Sequence, residues 1–116
     1  MATFTNLTPH EVVVYDTAGN VVLRVPPSGQ VARVSTQSTV IGAINGIPVR
    51  KTVYGPITGL PDPIDGTVYI VSTVVLLALK DKGVHRPDVV SPDTNPDSAV
   101  RDESGKIMGV RYFQVI

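Results

Sequence analysis

Glycine and proline interrupt this 116-residue chain so often that they limit the length of any regular element. Ten residues are glycine and ten are proline. Both residue types punctuate secondary structure, because proline lacks a backbone donor and glycine readily adopts positive φ. The segments between them are rich in valine, which favours strands over helices. The sequence therefore predicts many short strands joined by turns.

Valine-rich or alternating segments predict nine strands, and turn residues join some of them into hairpins. Residues 39–44 leave strand and irregular structure open, and residues 55–66, with three prolines and three glycines, are predicted as a loop. Asn45-Gly46 and the segments 16–20 and 102–106 have the composition of hairpin turns. The predicted strands are 3–8, 11–15, 21–25, 31–35, 47–54, 67–71, 88–90, 99–101 and 107–115.

One segment predicts a helix, over residues 73–81. Ser72 suits the N-cap, Gly83 suits the position after the C-cap, and residues 74–79 are apolar on all sides. Such a helix is buried on several sides or faces a second subunit. The alternative extends the preceding strand to about Val75. The predicted fold is a single α+β domain over residues 1–116, mainly antiparallel β-sheet with this one short buried helix.

The composition excludes several classes of function. Hydrophobic residues make up 42% of the chain, charged residues 17%, and the formal net charge is zero, so no overall field attracts nucleic acid or an anionic membrane. The absence of cysteine excludes disulfides and thiolate metal sites. Neither a signal peptide nor an apolar run of about 20 residues is present. We expect a cytoplasmic protein without a nucleic-acid or membrane partner.

The segment RPDVVSPDTNPDSAVRD (86–102) is unusually stiff and polar. It contains three prolines and four aspartates, and we interpret it as the wall of a binding site. Residues 93–97 match the D-x-N-x-D opening of a calcium loop. However, Ser98 and Ser104 stand where that loop needs glycine and glutamate. No metal site is predicted.

Candidate contacts for a small anion are few. The helix start at Ser72 offers free N–H groups, although Ser72 is equally suited to simple capping. Arg50, Arg101 and Arg111 lie on predicted strands, where each binds an anion, lies on a solvated face or pairs with an aspartate across the sheet. Arg101 and Arg111 occupy opposite arms of one hairpin. His10 is a ligand contact, a general base or a partner of the backbone. No nucleophile–base pair can be placed, so we predict no catalytic residue and no cofactor.

Several motifs follow one another along nearly the whole chain: NLTPH (6–10), PSG (27–29), VAR (31–33), GLP (59–61), YIVS (69–72), RPDVVSPD (86–93) and the segment from RD (101–102) to Arg111. Their order resembles that of a family of small bacteriophage and actinobacterial proteins. By itself, this resemblance implies no particular activity or ligand.

In the C-terminal third, Asn95-Pro96-Asp97 lies in a predicted loop and is followed by Arg101 and Arg111 on the last predicted strands. This order is similar to that of the phage sponge proteins that counter Thoeris defence. That resemblance implies sequestration, without cleavage, of a cyclic nucleotide-like immune signal, either a cyclic ADP-ribose isomer or a cyclic oligonucleotide. It also implies a homodimer or larger homo-oligomer in the bacterial host cytoplasm. The aromatic that stacks on adenine would be Tyr69, Tyr112 or Phe113. The polar contacts would be Asn95, Asp97, Arg101 and Arg111. The alternative function is a structural or assembly protein of a phage particle, and the third is cleavage of a signalling nucleotide.

Overall fold

The computed structural model describes residues 2–116, which form a mostly β protein with one nine-residue helix. The short strands fit the frequent glycines and prolines, but two strands are twelve residues long. The elements are β1 (Thr3–Asn6), β2 (Val12–Tyr15), β3 (Val21–Val25), β4 (Arg33–Ile44), β5 (Ile47–Thr58), β6 (Thr67–Ile70), α1 (Thr73–Asp81), β7 (Val89–Pro92), β8 (Ala99–Arg101), β9 (Ile107–Val110) and β10 (Phe113–Gln114).

The first sheet has the strand order β1-β6-β7-β10. Strands β1, β6 and β7 are parallel to one another, and β10 is antiparallel to β7. Helix α1 connects β6 to its parallel neighbour β7, because parallel strands need a crossover connection. The carboxyl ends of three strands therefore meet at one edge of this sheet.

The second sheet has the order β3-β2-β9-β8 and combines two hairpins. The pairs β2–β3 and β8–β9 are antiparallel, as their turns predict, but the hairpins join through the parallel pair Val14–Val110. The prediction of a mainly antiparallel sheet is therefore wrong, and the sheets are mixed. Turn residues specify pairing between neighbours in sequence, whereas the parallel pairs join distant segments.

The two faces of the first sheet pack in two separate clusters. Along β6, Tyr69 lies in the cluster with α1, whereas Ile70 lies in the cluster with the second sheet. Strand β7 divides in the same way, with Val89 on the helix side and Val90 on the other. This follows from the two-residue period of a strand. The result is a layer of α1, a middle sheet and an outer sheet.

Helix α1 begins and ends where the sequence predicts. Ser72 is the N-cap, and Gly83 has φ 68°. The amides of Gly83 and Val84 donate to the carbonyls of Lys80 (3.1 Å) and Leu79 (3.0 Å), which is the Schellman motif. One face of the helix is buried, whereas Val74 and Leu77 on the other face are 39% and 46% exposed.

Strands β4 and β5 form a two-stranded hairpin that pairs with neither larger sheet. We call residues 33–58 the arm and the rest of the described chain the body. The turn is Asn45-Gly46, with φ 50° and 79°, as predicted. Residues 39–44 are strand, and the prediction of a loop from residue 55 is wrong. Gly55 and Pro56 instead oppose Ser35 as a β-bulge, after which β5 continues.

The predicted last strand, 107–115, is broken at Arg111 and Tyr112 because the chain changes sheets there. Strand β9 belongs to the second sheet and β10 to the first. The buried hydroxyl of Ser98 accepts hydrogen bonds from the amides of Arg111 (3.3 Å) and Tyr112 (3.1 Å). A side chain just before β8 thus satisfies the backbone at the bend.

Across residues 2–116, helix α1 is far too short to cross a lipid bilayer, and no other helix is present that would do so.

Candidate functional site

The carboxyl ends of β1, β6 and β7 open onto one cavity of about 280 Å³. Thr8 follows β1, Ser72 and Thr73 follow β6, and Thr94 follows β7. Ligands of open sheets bind outside the carboxyl ends of parallel strands, because the loops there face a crevice. The topology thus brings four hydroxyl-bearing side chains to one place.

The opposite wall of the cavity comes from the second sheet and is apolar. It includes Val12 of β2 and Met108 of β9, whose side chain is 45% exposed. An apolar wall facing a few polar groups is the usual composition of a small-molecule site. This wall offers contact area, and the opposite edge offers hydrogen bonds.

A buried asparagine fixes the loop between β1 and β2. The Asn6 side chain is 1% exposed and donates to the carbonyls of His10 (2.7 Å) and Val25 (3.0 Å). Its Oδ1 accepts from the amide (2.9 Å) and the hydroxyl (2.6 Å) of Thr8. These bonds satisfy the amide group completely. Asn6 is a positioning residue, and sequence reasoning gave it no role, although the Asn-x-Thr order after a strand is typical of such local bonding.

The helix end at this cavity has positive electrostatic character. The Ser72 side chain makes no capping hydrogen bond, and the first turn contains no acidic residue. The amides of Thr73 and Val74 precede the first intrahelical bonds, so they remain available to water or a ligand. Aligned peptide dipoles add partial positive charge at the same point.

Few full charges surround this helix end. His10 is exposed at the cavity, and Glu11 lies beside it in an ion pair with Arg24 at 3.0 Å. Among the described lining residues there is no lysine or arginine. The polar groups available at this cavity are therefore mainly backbone amides and hydroxyls rather than arginine side chains.

Only two of the eight predicted ligand contacts, His10 and Ser72, line this cavity. Tyr69 is 2% exposed, and its hydroxyl donates to the carbonyl of Asp62 at 3.3 Å. Its ring therefore belongs to the core and offers no face for a base to stack on, which corrects its predicted role. The remaining five lie outside the cavity: Asn95, Asp97, Arg101, Arg111 and Arg50.

The backbones of the two arginines of the last hairpin, Arg101 and Arg111, are not neighbours in the sheet. Arg101 pairs with Ile107, whereas the Arg111 amide bonds to Ser98 at the other end of β8. Ser98 and Arg101 are three residues apart on the chain, so the backbones of Arg101 and Arg111 are ~10 Å apart. Arg101 donates to the Gly105 carbonyl at 2.6 Å, and Arg50 lies on the arm. Their ligand-binding roles stay predictions.

The segment 86–102 contributes only part of the predicted wall. Pro92 and Thr94 line the cavity, whereas Asn95 is exposed and bonds to the Asp93 carboxylate through its backbone amide (2.9 Å) and its side chain (2.7 Å). Within residues 2–116, no group of three or more acidic or histidine side chains is placed to hold a metal ion. Asp97 is exposed as well.

The start of this segment is a structural ion pair. Arg86 donates to both carboxylate oxygens of Asp88 and to the carbonyl of Pro61, each at 2.9 Å. The hydrogen bonds from Arg86 lower the pKa of Asp88, and those to Asp88 raise the pKa of Arg86. The pair ties the loop before β6 to the strand β7.

Comparison with protein-family models, curated proteins and solved structures finds no match for the chain. The resemblance to sponge proteins therefore stays a prediction, and function is inferred from the geometry of the chain itself.

Proposed function

We propose that the chain binds a small anionic, nucleotide-like ligand in the cavity at the carboxyl ends of β1, β6 and β7 and does not cleave it. The observation that carries this proposal is the convergence of three parallel strand ends and an uncapped helix N-terminus on one cavity. Such helix ends bind phosphate and carboxylate groups through their free amides.

Each part of the cavity suits one part of such a ligand. The amide of Thr73 and the hydroxyl of Ser72 would take the anionic group. The wall with Val12 and Met108 would cover an apolar ring. A volume of about 280 Å³ lies just below the usual range of ligand pockets, roughly 300–1,000 Å³. It accommodates one nucleotide-sized portion, and the rest of a cyclic signal would remain outside.

Binding without turnover agrees with the surroundings of the polar groups. The Thr8 hydroxyl donates to Asn6 at 2.6 Å. In the part of the chain that the structure describes, no side chain is hydrogen-bonded to the His10 ring. A general base needs an orienting partner and an activated nucleophile beside it. We therefore retain the sequestering role, with a cyclic ADP-ribose isomer or a cyclic oligonucleotide as the proposed signal.

The test is isothermal titration of Thr73→Asp and wild type with cyclic ADP-ribose isomers, cyclic di- and trinucleotides, AMP and inorganic phosphate. A carboxylate at the first helical position stabilises the helix but repels an anion. We expect at least tenfold weaker binding by Thr73→Asp and unchanged binding by the control Thr17→Asp, which lies in an exposed turn.

Three results would refute the proposal: no ligand binds the folded wild type, Thr73→Asp binds as wild type does, or the bound ligand is recovered as cleaved products. The last result would identify an enzyme instead.

A second candidate function, a structural or assembly protein of a phage particle, is favoured by the exposed arm. Exposed strand edges can recruit strands of neighbouring subunits through backbone hydrogen bonds. Mass spectrometry of purified virions would find many copies of the chain if this function is correct and none if it is not.

A further inference from the structure

Most side chains of the arm are exposed, so packing against the body stabilises only its base. Residues 35–53 are all exposed except Val49, which is half-buried. Large apolar side chains at its tip are among the most exposed of the molecule, with Ile41, Ile44 and Ile47 at 63%, 67% and 68%. An isolated two-stranded hairpin is marginally stable in water, and apolar patches of this kind mark interaction sites.

The charges of the arm and the body are opposite. The arm carries three of the ten basic residues, Arg33, Arg50 and Lys51, and none of the ten acidic residues. The body therefore holds seven basic against ten acidic residues. Two arms would repel each other, whereas an arm and a body attract. This complementarity favours the body of a second copy as the occupant of the arm.

One loop of the body matches the arm in chemistry. We call Asp62, Ile64 and Asp65 the acidic patch. All three side chains are exposed, and that of Ile64 is 60% exposed between the two carboxylates. The loop is held from inside, since Arg86 binds the Pro61 carbonyl and Tyr69 binds the Asp62 carbonyl. A preorganised loop loses little entropy on binding.

The arm cannot reach the acidic patch of its own chain. The patch follows Thr58 at the base of the arm, and Arg50 lies eight residues up β5. At the rise of a β-strand, this places Arg50 and its neighbour Lys51 roughly 25 Å from the base of the arm. Contact between the arm and the patch therefore requires two chains.

We propose that the arm of one copy docks on the acidic patch of a second copy. On β5, Lys51 shares a face with Ile47, whereas Arg50 points to the opposite face. Lys51 then faces Asp62 and Asp65, the apolar tip covers Ile64, and Arg50 adds to the positive charge of the arm. If the exchange is reciprocal, two copies close into a symmetric dimer with two such contacts. A stable interface uses about 20–30 residues a side, and the exposed part of the arm supplies most of one side. This inference does not depend on the ligand proposal.

Sedimentation velocity over a range of protein and salt concentrations tests the contact. We expect wild type to self-associate, and less so at high salt because the pairs are exposed. The arm variant Arg50→Glu/Lys51→Glu and the patch variant Asp62→Lys/Asp65→Lys should each associate at least tenfold more weakly. The control Arg101→Glu/Lys106→Glu changes the charge equally on the body and should associate as wild type does.

Mixing the two defective variants is the decisive measurement. In the mixture, the reversed arm meets the reversed patch, and the native arm meets the native patch, so association should return although each variant alone is defective. Four outcomes would overturn the proposal: monomeric wild type at all concentrations, insensitivity to arm reversal, absence of rescue on mixing, or loss of association only after nuclease treatment. The last would show that the arm binds nucleic acid.

Discussion

The body and the arm are both built of strands with many β-branched apolar residues, but they differ in what covers these residues. Strands of the body are two to five residues long, yet Ile70 of β6 is completely buried. The arm has twelve-residue strands, and Ile47 of β5 is 68% exposed. Strand length therefore does not indicate stability in this chain. Packing on both faces of the first sheet stabilises the body. The exposed part of the arm, residues 35–53, has only cross-strand hydrogen bonds and its turn.

A pair of identical substitutions gives the largest expected contrast. Ile70→Ala removes a buried side chain between the two sheets and should lower the free energy of unfolding by about 2–5 kcal/mol. Ile47→Ala removes the same atoms from an exposed position and should change it by less than about 0.5 kcal/mol. Urea denaturation at a protein concentration below self-association measures both. Equal losses would mean that the arm tip is part of the monomer's core.

Glycine substitutions sharpen the same contrast. A Cβ on Gly109 would lie 2.5 Å from the Val13 carbonyl oxygen and 2.6 Å from the Tyr15 ring, between β9 and β2. Gly109→Ala should therefore destabilise the body by about 1–3 kcal/mol. A Cβ on Gly42 in the arm would meet no atom within 4 Å, and Gly42 does not have positive φ. Gly42→Ala should be neutral, and thermal unfolding of both variants checks the difference.

Acid should weaken only the body, because the arm has no acidic residue. The pKa of Asp88 is lowered by Arg86, so the ion pair stabilises the fold fully above the ordinary carboxyl pKa of about 3.9 and loses that contribution as the pH falls through the lower folded value. Both side chains are mostly buried, at 13% and 18% exposed. We expect Asp88→Asn to cost about 1–3 kcal/mol at pH 7.

The difference between Asp88→Asn and wild type should shrink as the pH is lowered toward 2, measured as the urea midpoint across pH. Asp97→Asn, at an exposed position, is the control and should show no such trend. A difference that persists unchanged at low pH would mean that the Asp88 carboxylate does not act through its charge.

The fold was predictable where local chemistry decides it. Helix α1 could be placed because Ser72 and Gly83 mark its ends, and the Asn45-Gly46 turn because both residues tolerate positive φ. The full length of the arm was not predictable from the pattern. Alternation predicted residues 47–54, but residues 36–44 of the arm do not alternate regularly, and Gly55-Pro56 indicates a loop unless Ser35 stands opposite as the partner of a bulge.

The candidate site was predictable only in part. His10 and Ser72 follow strands whose ends meet in the cavity, so reasoning from strand and helix ends found them. These strand ends lie together because β1 pairs in parallel with β6, about sixty residues later in the sequence. No local sequence signal specifies that pair. The arginines were grouped by their hairpin, but register and the change of sheet after Val110 separate them.

The smallest expected effect distinguishes the two turns that the sequence predicts equally well. Gly46 at the arm tip and Gly105 in the body hairpin have φ 79° and 85°, and a Cβ at either meets no atom within 4 Å. Alanine at such a φ costs about 1–2 kcal/mol. In Gly105→Ala this cost should reduce global stability. In Gly46→Ala it should appear only as faster hydrogen exchange of arm amides, with body exchange unchanged, because the arm opens without unfolding the body. Faster exchange throughout the body of Gly46→Ala would show that the two regions unfold together. The arm would then be part of the cooperative core rather than a separate element that docks on a second copy.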